Sequence, residues 1–127
     1  MNTSKIDIIE FHYKKPLKKS QNELVMYLRR LIKDNVISRK VGQESLALWF
    51  AARDVGLPVP AACSGPDGQM CYSWDKGRHH FEAEITPNEP VYLFYRDRDT
   101  ESIWGEEHKI GDKFSEEALQ KISLLWT

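Results

Sequence analysis

The stretch GQMCYSWDKGRHHFEAEI, Gly68 to Ile85, decides the fold. Its apolar residues recur at every second position. Met70, Tyr72 and Trp74 alternate with Cys71, Ser73 and Asp75; beyond Lys76-Gly77, His79, Phe81, Ala83 and Ile85 alternate with His80, Glu82 and Glu84. A period of two marks a strand with one buried face, and two such runs around a glycine read as a hairpin. A reversal at Asp75 to Arg78 sets Trp74 opposite His79 and Tyr72 opposite Phe81, keeping the apolar positions on one face. A slip by one residue would turn every side chain over and bring Tyr72 against His80, so the pattern itself selects the pairing.

Toward the C-terminus the same logic continues. Thr86 to Pro90 makes a second reversal into VYLFYR, where Val91, Leu93 and Tyr95 extend the inner face and Tyr92, Phe94 and Arg96 point outward. Asp97 to Ser102 is a further turn, and Ile103-Trp104 reads as a short edge strand. The result is a three- to four-stranded antiparallel meander with one face packed and one open. Ser115 is placed to cap a closing helix, Glu116 and Glu117 suit its positive end, and Phe114 can staple against Leu119.

Toward the N-terminus, Pro58 to Asp67 reads as a loop rich in Pro, Gly and Ala. A helix is predicted over Gln43 to Val55, with Gly56 as its left-handed cap. An earlier one covers 21–35: Ser20 and Glu23 form a capping box, and Leu24, Tyr27, Leu28 and Leu31 recur at helical spacing. KIDIIEFHY, near the start, is a candidate short strand. Two N-terminal helices, a meander and a C-terminal helix on one sheet face make a single α+β domain over residues 1–127.

At 41% hydrophobic and 29% charged residues the composition is that of an ordinary globular chain. No apolar run is long enough to span a bilayer, so a cytoplasmic protein without membrane contact is expected. Cys63 and Cys71 lack a CxxC spacing, which argues for two reduced thiols and against a zinc site. Residues 1–53 carry a net +6 and residues 54–127 a net −7. That asymmetry allows a charged partner, yet it is far from the strongly basic balance of a dedicated nucleic-acid binder.

Candidate chemistry centres on His79-His80 and the glutamates beside them. Neighbours along a strand point to opposite faces, so the two histidines cannot share a metal. His80, Glu82 and Glu84 line the outer face at steps of roughly 7 Å and read as a solvated row, with Arg96 opposite His80 as a charge complement. Asp67, Glu82 and Glu84 have a superficial likeness to the magnesium-binding carboxylates of PD-(D/E)xK nucleases, but Glu84 stands where those enzymes place a lysine. Neither cysteine nor Ser64 has an activating context, GPDG is a turn rather than a phosphate loop, and His12 and His108 are isolated. Lys14, Lys15, Lys18, Lys19, Arg29, Arg30, Lys33, Arg39 and Lys40 offer a nucleic-acid-binding alternative, centred on Arg29, Arg30 and Lys33. What stands out is exposed aromaticity: Tyr92 and Phe94 beside Glu82 and Glu84, unless the first strand or the 97–113 segment with Trp104 folds over them.

The segment from Gly65 to Asp99, with its turn, a strand ending in Trp74, the acidic FEAEI and the aromatic VYLFYRD, resembles a pattern in short, mostly uncharacterised bacterial proteins of plasmids, phage and other mobile DNA. Gln69 replaces the usual second glycine of their turn. The resemblance implies a small interaction protein and supplies no catalytic residues. A non-enzymatic protein-binding module without cofactor is therefore expected: an antitoxin, an immunity protein or an inhibitor of a defence or toxin enzyme. Its partner-binding residues are Glu82, Glu84, Tyr92, Phe94, Arg96 and Trp104.

Overall fold

Residues 20–126 are described by the computed structural model. The KIDIIEFHY segment, His12 and the lysines at 14, 15, 18 and 19 lie outside them. The elements follow in the order α1 (Gln21–Lys33), α2 (Arg39–Asp54), β1 (Ala61–Ser64), β2 (Met70–Lys76), β3 (His79–Ile85), β4 (Val91–Asp97), β5 (Ile103–His108) and α3 (Glu116–Ser123).

Local chemistry starts and stops the helices where the chain is most explicit. Ser20 Oγ accepts from the Glu23 amide at 3.1 Å while Glu23 Oε1 accepts from the Ser20 amide at 2.8 Å, completing the capping box. Helix α2 begins four residues earlier than the spacing predicts, because Ser38 Oγ accepts from the Val41 amide. The first turn behind that cap carries Arg39 and Lys40 and no acid, so the signal that marks α1 is missing. At its end the amide of Gly56 reaches the Arg53 carbonyl and that of Leu57 the Ala52 carbonyl, the paired bonds of a Schellman motif.

The sheet has five strands in sequence order, every neighbour antiparallel. Two features correct the sequence reading. Ala61–Ser64, inside the stretch read as a loop, is a short edge strand paired with β2, and Ile103–His108 is a full strand, so there are five strands rather than three to four. The hairpin is also tighter: Lys76 pairs with His79, which places Trp74 against Phe81 and Tyr72 against Ala83. Gly77 and Arg78 alone form the loop, and the positive φ of +58° falls on Gly77 and not on Arg78. That is the signature of a II′ turn, whose twist matches the flanking strands. The shift is by two residues, so every side chain keeps the face the alternation assigns it.

All three helices lie on the inner face. One apolar cluster joins Leu24, Leu28, Val41, Leu48 and Trp49 to Tyr72, Phe81, Leu93 and Ile122. Two buried polar tips are tied down across it: the Tyr72 hydroxyl donates to the Ser45 carbonyl at 2.8 Å, and Trp74 Nε1 to the Pro58 carbonyl at 2.7 Å. No helix among the described residues is long and apolar enough to cross a membrane.

Candidate protein-binding face

The strand register decides which side chains share the outer face. On β3 they are His80, Glu82 and Glu84, on β4 Tyr92, Phe94 and Arg96, and on β5 Ile103, Gly105 and Glu107. This face is open at one side only. On β1 and β2 its members Cys63, Cys71 and Ser73 are buried, and both cysteines are free thiols. On β4 and β5 it is exposed, with Tyr92 at 45% and Ile103 at 66%. Phe94 is half-buried between Glu82 and Gly105, its neighbours on either side. The Tyr92 ring leans over Gly105, where a side chain would collide with its hydroxyl.

Trp104 does not join these rings. It faces Tyr95 on the helix side of the sheet and packs against the core, because it lies one step along the strand from Ile103 and Gly105, which face outward. The 97–113 segment likewise does not fold over Tyr92; it extends the sheet beside it as β5.

The charged half of the face is more organised than a solvated row. His80 donates from Nδ1 to Asp75 Oδ1 at 2.8 Å and from Nε2 to Glu82 Oε1 at 3.0 Å, and Arg98 donates to Asp75 Oδ1 at 2.5 Å. Burial alone would push the imidazolium down, but the hydrogen bonds and charges of Asp75 and Glu82 overcome it and raise His80 to about 9. Burial likewise acts to raise the Asp75 carboxyl, and the bonds from His80 and Arg98 hold it below its ordinary range. While protonated, the ring donates from both nitrogens, and the Arg98 guanidinium lies 3.3 Å from Nδ1 on the same carboxylate. His80 is a fixed positive charge between two carboxylates.

Arg96 lies opposite His80, as the alternation predicts, but its guanidinium turns to Glu101 at 3.3 Å in an exposed pair. The complement to the carboxylates is Arg98 instead. Sequence reasoning missed Asp75 and Arg98 because Asp75 faces His80 only in the tighter hairpin register. Asp67 sits in the turn before β2, its amide bonded to Gln69 Oε1, and among the described residues no three His, Cys, Asp or Glu side chains are grouped to hold a metal. Arg29, Arg30 and Lys33 are exposed on α1; Arg30 rests over the Tyr27 ring at 5.7 Å and Arg29 edges a shallow apolar groove with Val25, Ile32 and Leu46.

Comparison with protein-family models, with curated proteins and with solved structures found no match for this chain.

Proposed function

We propose that this chain is a non-enzymatic protein-binding module that uses the β3–β5 side of its outer sheet face, acting as an antitoxin, immunity protein or inhibitor of a defence or toxin enzyme. The observation that carries the reading is the joint exposure of Tyr92 and Ile103 on one rigid face, beside the half-buried Phe94. Large apolar side chains on a flat, hydrogen-bonded platform lose little freedom on docking and suit the desolvated centre of an interface. Their rim is charged. From Asp97 to Glu107 the chain has five carboxylates against one guanidinium, which favours a basic partner and speeds its approach. Glu82, held by His80, contributes a fixed charge rather than a mobile one. The inhibitory role draws its support from the resemblance of Gly65 to Asp99 to small mobile-element proteins.

Capture from the native host, followed by mass spectrometry, tests this reading when wild type is run beside a Tyr92→Ser, Ile103→Ser variant. The expected result is a protein retained by wild type and lost with the variant, and eluted as salt is raised. Equal retention by both baits would overturn the assignment of the face.

A further inference from the structure

Strand β5 ends the sheet, and its free edge has a definite chemistry. The Asp97 amide donates to the Ser102 carbonyl at 2.9 Å, which fixes that pair as hydrogen-bonded across β4 and β5. Alternation along an antiparallel ladder then turns the backbone of Trp104 and Glu106 toward β4 and that of Ile103, Gly105 and Glu107 away from it. Among the described residues nothing pairs with those outward amides and carbonyls.

We propose that this edge pairs antiparallel with the β5 edge of a second copy of the chain, about a two-fold axis through Gly105. Outward groups can bond only to outward groups, so few registers are open. An axis at Glu106 or Glu107 sets a glutamate against its own copy, and one at Trp104 sets Glu107 against Glu101. Like charges directly opposed across strands are destabilising. An axis at Ile103 leaves almost no overlap. The axis at Gly105 alone uses the whole edge: Ile103 faces Glu107 of the second copy, Gly105 faces Gly105, and Trp104 faces Glu106, each outward pair exchanging two hydrogen bonds. Just beyond the strand ends, Glu101 is brought toward Lys109 of the second copy, a complementary pair at each end of the interface. The glycine leaves the axis without a side chain, and Tyr92 leans over it in each copy, so the two exposed rings meet above the junction.

This pairing goes beyond the proposed partner-binding role and does not depend on it. Sedimentation of the full chain over a concentration series is the test, with far-UV circular dichroism confirming that each variant is folded. Wild type is expected to pass from monomer to dimer with a dissociation constant in the micromolar range suited to a small interface. Ile103→Glu, which opposes Glu107 of the second copy, should weaken the dimer by about tenfold or more. Adding Glu107→Lys to Ile103→Glu should restore it. A wild type that stays monomeric overturns the proposal, as does a dimer indifferent to Ile103→Glu or a double variant that fails to recover.

Discussion

His80 shows how one side chain's surroundings decide between chemistry and architecture. Two carboxylates grip its two nitrogens, and the bonds hold the ring protonated to about pH 9, well above the ordinary 6.5. Below about 6.5 the imidazole is charged in folded and unfolded chains alike and its stabilisation is fully present; above that the unfolded chain sheds the proton first, and the stabilisation fades as the pH rises through 9. His108 works the other way. Burial against Phe114, ring centroids 4.7 Å apart, holds it below the ordinary value despite Asp112 and Glu106, so its penalty grows as the pH falls. The difference in unfolding free energy between wild type and His80→Asn isolates the first effect. That difference should be largest near pH 6 and shrink toward pH 9.5. A difference that is flat across this range would contradict the charged-histidine assignment. Tyr72→Phe probes the core in the same experiment: loss of the buried bond to the Ser45 carbonyl should cost about 1 kcal/mol at any pH.

At the scale of elements, most of the fold was legible in the sequence, and the departures have local causes. Alternation of Tyr72 and Trp74 against Ser73 and Asp75 assigns the faces, and a shift of two residues leaves that assignment intact; periodicity alone therefore cannot choose between the tight and the longer hairpin. The turn chooses, through Gly77. Ala61–Ser64 escaped notice because four residues between prolines and glycines carry too little alternation to register as a strand. The start of α2 was hidden by a cap with no acid behind it. On the candidate face, Glu82, Tyr92, Phe94 and Arg96 could be read from alternation, but the placement of Trp104 follows only from the β5 register, and the tie from Asp75 to His80 only from the tight turn. Gly77→Ala tests that turn. A Cβ there meets no other atom, so the cost is that of holding a non-glycine residue at positive φ, about 1–3 kcal/mol. An unchanged denaturation midpoint would show the two-residue loop to be wrong.

Among the described residues the helices close one side of the sheet, and on the other side Tyr92 and Ile103 of β4 and β5 are exposed. Charge differs between the two sides over the described residues: Arg29, Arg30 and Lys33 lie on α1 in the helix layer, whereas Asp97, Asp99, Glu101, Glu106 and Glu107 gather on β5 and around the turn before it. A single partner could therefore distinguish the two sides by charge as well as by shape. Met26 on α1 and Phe50 on α2 are exposed apolar residues of the helix layer and provide internal controls. The most direct measurement is the affinity of the captured partner for Tyr92→Ala, Ile103→Ala, Met26→Ala and Phe50→Ala by titration calorimetry. Binding through the outer sheet face requires the first two to weaken the complex by about tenfold or more, equivalent to about 1.4 kcal/mol each, and the last two to leave it within about twofold. Loss of binding confined to Met26→Ala and Phe50→Ala would move the interface to the helices and contradict the account.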